Sequence, residues 1–169
     1  MIILGIDPGT VSMGYGVIES RDDEITLVDY GAFKCSPRTP TEKRLGFLYA
    51  RLLEIINRHK PDMVAVEEPF VSENVKSALA IGRAQAIAIL AAVNNDVPIS
   101  RYTPAEVKRQ ITNYGASSKE QIQEMIKLTL GLSQVPQPSD AADALAVAIC
   151  HVQALHLKSL LSRQSEGSQ

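Results

Sequence analysis

Residues 2–7 read Ile-Ile-Leu-Gly-Ile-Asp, five apolar or small side chains running straight into a carboxylate. An apolar run without alternation is the signature of a strand covered on both faces. Such a strand implies a sheet with helices on either side of it. An acid at the mouth of a buried strand is costly unless something there uses it. Two more acidic elements sit in similarly apolar surroundings: Val64-Ala65-Val66-Glu67-Glu68, and Asp140-Ala141-Ala142-Asp143-Ala144. Three acidic sites far apart in sequence, each on an apolar element, suggest one converging site.

The remaining pattern fits a mixed sheet. Residues 14–19 and 25–33 carry β-branched and aromatic residues around a polar turn at 20–23, which predicts a three-stranded antiparallel meander with residues 2–6. Leu45, Leu48, Leu52, Ile55 and Ile56 recur at helical spacing within 41–59. Residues 62–67 read as a fourth strand, parallel to the first because a helix crosses over between them. An alanine-rich helix is expected over about 74–94, with Ala78, Gly82, Ala86 and Ala92 offering close approach to another helix, and a short strand over 97–102. Thr103-Pro104-Ala105-Glu106 and Ser118-Lys119-Glu120-Gln121 are helix-opening capping patterns. The last helix begins at Ser139 or Asp140 and reaches about Leu157. The expected fold class is α/β, with one domain over residues 1–157 and a polar, flexible C-terminal tail over 158–169.

Alternation in the fourth strand puts Glu67 on the face of Ala65 and Met63, and Glu68 on the other, so only one can point at Asp7; Glu67 is the expected partner. If the first and fourth strands are neighbours, their axes lie about 4.8 Å apart. Asp140 and Asp143 are three residues apart on a helix, about 60° around its axis, and the alanines between them permit close approach to the sheet. Carboxylates gathered in this way repel one another, and a hard divalent cation relieves the conflict. Two such ions about 3.5–4 Å apart can activate water and stabilise a leaving oxygen in phosphodiester cleavage. Each piece also has a plain structural reading: Asp7 as a turn residue, Glu67 as a strand-end surface residue, Asp140 as a favourable helix N-terminal carboxylate.

Net charge is −2, which alone argues against a nucleic-acid partner. Residues 74–119 nevertheless hold Lys76, Arg83, Arg101, Lys108, Arg109 and Lys119 against only Asp96 and Glu106. A locally basic middle can grip phosphates, though an ordinary solvated surface reads the same way. No apolar stretch was expected to span a membrane; residues 78–93 come closest and are interrupted by Gly82, Arg83 and Gln85. The absence of a basic-then-apolar leader, with two cysteines lacking ligand spacing, points to a cytoplasmic protein with unpaired thiols.

The Gly5-Ile6-Asp7-Pro8-Gly9 start, the Val66-Glu67 strand end and the Asp140-Ala-Ala-Asp143-Ala-Leu-Ala helix resemble the RuvC family of bacterial Holliday-junction resolvases, in order and spacing over about residues 1–155. Ser77-Ala78-Leu79, Gly82, Ala91-Ala92-Val93-Asn94 and Val107-Lys108 also fit. The resemblance implies a ribonuclease-H-like fold, a mixed five-stranded sheet flanked by helices. It implies a homodimer that nicks two opposed strands of four-way junction DNA, leaving 5′-phosphate and 3′-hydroxyl ends. It implies Mg²⁺, with Mn²⁺ as a substitute, and two ions per active site held by Asp7, Glu67, Asp140 and Asp143. Action beside the RuvA–RuvB branch-migration complex is implied as well.

By the same resemblance, Phe70 stacks on unstacked bases near the junction, a role worth about 1–3 kcal/mol per base; the alternative is a core anchor for its loop. Lys108 and Lys119 align with lysines near the scissile phosphate, where an ammonium offsets transition-state charge; a general phosphate contact or a surface lysine are the alternatives. Lys76, Arg83 and Arg109 are weaker candidates for backbone contact. His59, His151 and His156 are expected to be structural or exposed. The 74–94 helix is a candidate for the dimer interface, or is buried against its own sheet. Two other readings compete with this one. The Gly5–Thr10 segment also resembles the first phosphate motif of actin-like and Hsp70-like ATPases, but no second phosphate motif follows. A non-catalytic junction-binding module would have no reason to keep all four acids.

Overall fold

The computed structural model describes residues 1–22, 24–68, 74–112 and 117–166, and side chains as far as residue 162. β1 (Ile2–Asp7), β2 (Ser12–Arg21) and β3 (Glu24–Lys34) form the antiparallel meander. α1 (Thr41–His59) crosses over to β4 (Met63–Glu67), which pairs parallel with β1. α2 (Val75–Val93) leads to β5 (Ile99–Tyr102), parallel to β4. α3 (Pro104–Thr112), α4 (Lys119–Thr129) and α5 (Ser139–Glu166) complete the chain. The sheet order is β3-β2-β1-β4-β5. This is the expected mixed five-stranded sheet flanked by helices.

Both faces of β1 are buried, which accounts for its unbroken apolar sequence. Ile3 joins the core beneath α3, α4 and α5, whereas Leu4 and Ile6 join the core beneath α1 and α2. The same alternation in β4 sends Ala65 to the α5 side and Val64 and Val66 to the α1 side. Burying each such side chain contributes about 1.5–3 kcal/mol.

α5 lies directly on the backbone of β1 and β2. A Cβ on Gly5 would stand 2.1 Å from the Ala144 carbonyl oxygen, and one on Gly14 would stand 1.9 Å from that of Asp140. The fit needs glycine on the strands and alanine on the helix; Ala141, Ala144 and Ala148 are fully buried.

Both capping patterns form. Thr103 donates its N–H and O–H to the Glu106 carboxylate at 2.8 Å, and the Ser118–Gln121 box is reciprocal. Cys35 and Cys150 are free, and burial pushes the Cys150 thiol up to about 12.

Two elements depart from the sequence reading. α5 continues as helix to Glu166, through the region expected as a flexible tail; residues 158–166 contain no Gly or Pro to stop it. α2 and α5 are also both long and apolar enough to cross a membrane by length and composition. α5 has this character because its first three turns are the packed centre of the fold. α2 has it with Val75, Leu79, Leu90 and Val93 exposed.

Candidate active site

Asp7 and Glu67 end neighbouring parallel strands, and the register Ile6↔Val66 sets them side by side. Alternation from Gly5 and Ala65 turns both toward α5. Glu68 points the other way, with Oε1 3.6 Å from Arg101 Nη1. The choice of Glu67 over Glu68 therefore agrees with the geometry.

Asp7, Glu67 and Asp143 line one cleft of about 220 Å³, together with Lys108 from α3 and Lys119 from the first turn of α4. Pro104, Val107, Ile122 and Ala146 form its apolar wall. Asp140 stands at the edge, where its Oδ2 accepts a 2.5 Å hydrogen bond from Ser12 Oγ. Lys119 Nζ donates to Asp143 Oδ2 at 2.8 Å.

Burial, then the charges of Glu67, Asp143 and Asp140, push the Asp7 carboxyl up to about 7. Burial, then Asp143, push Glu67 up to about 7 as well, against the pull of Lys108 and Lys119. Lys119 is raised chiefly by its bond to Asp143, with Asp7 and Asp140 adding to it. Asp7 and Glu67 thus feel the other acids of the site, with Lys108 and Lys119 as counter-charges at Glu67 and Lys119 at Asp7.

This donor set fits a hard divalent cation: all its ligating atoms are carboxylate oxygens, and two of the carboxyls are held near neutrality by surroundings that a 2+ charge would reverse. Among the described residues, no three His, Cys, Asp or Glu side chains enclose an ion as they lie. Two of the four carboxylates are turned to other partners, Asp143 to Lys119 and Asp140 to Ser12.

The other expected site residues divide. Lys108 and Lys119 line the cleft. Lys76 and Arg83 are exposed on α2, and Arg109 is exposed on α3, outside the cleft lining. Phe70 lies outside the described residues. The histidines stay apart from the acids: His59 Nε2 is 2.9 Å from Asp29, and buried His151 has Nδ1 2.7 Å from the Tyr102 hydroxyl. Ser12 was not anticipated, because nothing local in the sequence marks a hydroxyl that meets a carboxylate 128 residues later.

A family-wide sequence profile described as crossover junction endodeoxyribonuclease RuvC matches residues 3–151. The chain belongs to the RuvC family. A RuvC of that description from Dehalococcoides mccartyi is 54% identical over 151 residues, covering 89% of this chain and 90% of the relative. One from Caldicellulosiruptor saccharolyticus is 47% identical over 167 residues, 98% of this chain and 99% of the relative. Among solved structures, T. thermophilus RuvC in complex with a Holliday junction substrate superposes with a TM-score of 0.89 at 35% identity, covering 94% of this chain and 96% of that one. The yeast mitochondrial Holliday junction resolvase Ydc2 shares the fold, with a TM-score of 0.64 at 12% identity. RuvC membership, and a fold shared with these resolvases, leave the ATPase reading without support.

Proposed function

We propose that the chain resolves four-way DNA junctions as a homodimer, each protomer hydrolysing one phosphodiester bond through Mg²⁺ held by Asp7, Glu67, Asp140 and Asp143. Mn²⁺ substitutes, and two ions act at each site. The observation that carries this reading is the convergence of Asp7, Glu67 and Asp143 with Lys108 and Lys119 in one cleft. Family membership supports the nuclease chemistry. When bound, the ions supply an activated water and charge stabilisation at the attacking and leaving oxygens, giving 5′-phosphate and 3′-hydroxyl ends.

The chain's own residues do the rest. Asp7, at the end of the buried central strand of the sheet, fixes the centre of the site. With an ion bound, Asp143 would be one of its ligands, and Lys119, here bonded to Asp143, would offer its ammonium to a phosphate oxygen whose charge grows in the transition state. Lys108, exposed in the same cleft, binds the same strand. The apolar wall of Val107, Ile122 and Ala146 keeps bulk water from one side of the cleft.

Pairing of two protomers is supported by α2. It exposes Val75, Leu79, Leu90 and Val93, and a Cβ on Gly82 would meet nothing within 4 Å. An apolar, small-residue face of this kind suits a second copy, and a two-fold protein suits a junction with two opposed strands to cut. Cooperation with the RuvA–RuvB complex belongs to the same reading.

The deciding experiment compares cleavage of a synthetic four-way junction and a matched linear duplex, with Mg²⁺ and with EDTA, beside Asp7→Asn. Paired nicks confined to the junction, lost with EDTA and reduced at least a hundredfold in the variant, are expected. Cleavage surviving either treatment would remove the metal assignment. Tight binding without nicks under any metal would leave a binding module.

A further inference from the structure

A second basic cluster lies outside the cleft and outside the 74–119 segment. Residues 34–44 carry Lys34, Arg38, Lys43 and Arg44 against the single acid Glu42. Lys34 ends β3, and Lys43 and Arg44 lie in the first turn of α1. With Cys35, Thr39 and Phe47 these three cations line a pocket of about 210 Å³, room for several groups the size of a water at roughly 30 Å³ each. Among the described residues, no carboxylate comes within ion-pairing distance of any of the four cations.

Arg44 is the most telling member. Its Nη2 donates to Thr41 Oγ1 at 3.1 Å, while its Nε is buried with no acceptor, an arrangement that costs free energy unless something fills it. α1 begins after Pro40 without a side-chain cap, so its N-terminal dipole adds positive character near Lys43 and Arg44. An Arg fork beside two Lys point charges, with no resident acid, suits a phosphate better than any neutral ligand.

The pocket's position ties it to the acidic site. Lys34 is the cross-strand partner of Ser12, and Ser12 holds Asp140. Both sites lie at the same end of the sheet, the pocket on its α1 side and the acids on its α5 side. We propose that Lys34, Lys43 and Arg44 form a binding site for a DNA backbone phosphate away from the bond being cut. This rests on the nuclease reading above. The site would fix the register of the strand while leaving sequence unread.

The test is the doubly substituted Lys34→Glu, Lys43→Glu chain, both positions being exposed. Fluorescence anisotropy follows binding to a labelled junction across a KCl series, with EDTA present so that nothing is cut. Each lost phosphate contact should make the log–log salt slope shallower by about 0.9, and affinity at fixed salt should fall about tenfold or more. The milder Lys34→Gln, Lys43→Gln pair should move both quantities the same way. A control with the same charge change at the opposite end of the sheet, Arg21→Glu with Lys158→Glu, should keep the wild-type slope. An unchanged slope in the first pair, or an equal change in the control, would overturn the site. Inorganic phosphate raising the melting temperature of the wild type alone, with junction binding unaltered in the variants, would reassign the pocket to a small anion. A wild-type chain that binds no junction would sink the nuclease reading first, and this site with it.

Discussion

Asp7 shows how a single residue position can carry more than a motif match. It sits where strand alternation, the β1–β4 register and the α5 contact agree, and its carboxyl is pushed from 3.8 up to about 7 by burial and by its acidic neighbours. Glu67 moves from 4.5 to about 7. A carboxyl whose folded pKa is raised binds a proton more readily folded than unfolded, so its stabilising contribution is complete below the unfolded value and is lost as pH rises through the folded one. The window here runs from about pH 4 to about pH 7. The metal-free protein should therefore unfold more easily at pH 8 than at pH 5, by up to about 2.7 kcal/mol for one such site, because about two pH units of that interval lie below the folded value, with the two coupled sites adding less than twice that. Glu106, lowered by its bonds from Thr103, works below this window and does not mask it. Urea denaturation at the two pH values should show the loss. Asp7→Asn should flatten much of it, and Mg²⁺ at pH 8 should restore stability to the wild type. A wild type equally stable at both values would mean these acids are not coupled as the geometry states.

At the scale of elements, most boundaries were legible because they rest on local chemistry. α1 matched from Thr41 to His59, since its leucine and isoleucine spacing is unambiguous. The caps at Thr103 and Ser118 were legible because the backbone N–H groups that donate to their hydroxyls lie three residues on. The C-terminal extent of α5 was not, because polarity says nothing against a helix that protrudes from the core. The seat of α5 was only half visible: the alanines were recognised as permitting close approach, but the glycines that receive them were not identified, since a packing partner more than a hundred residues distant leaves no local mark. Gly14→Ala tests that seat. Its Cβ would collide with the Asp140 carbonyl oxygen, a backbone atom that can move only if α5 moves. Overpacking of this kind costs about 1–3 kcal/mol, and backbone contact puts Gly14 at the upper end. Displacing Asp140 should also reduce junction cleavage about tenfold or more at a temperature where the variant is still folded. A variant of wild-type stability and activity would show that the helix has slack the structure does not suggest.

At the scale of the whole molecule, charge and apolar surface are unevenly spread, and composition hides both. A net charge of −2 coexists with lysines in the cleft and a second basic pocket at α1. The alanine-rich α2 could not be assigned from sequence to a partner or to its own sheet, because the same small residues serve either purpose. The structure splits it: Ala84, Ala88, Ala91 and Ala92 are buried in the protomer, while Leu79, 55% exposed, and Val93, 56% exposed, are not. A helix that exposes Val75, Leu79, Ala86, Leu90 and Val93 to water carries a free-energy penalty that association removes. Leu79→Glu should then leave the protomer folded, since it replaces an exposed side chain. It should halve the mass seen by light scattering, because a pair of glutamates facing each other across a two-fold would be desolvated without partners. Cleavage by the separated protomers should change in kind as well as rate. Each site keeps its acids and lysines, so nicks continue, but the two opposed strands are no longer cut in one binding event and singly nicked junctions accumulate. A variant that remains a dimer and makes paired nicks at the wild-type rate would move the interface off this face of α2.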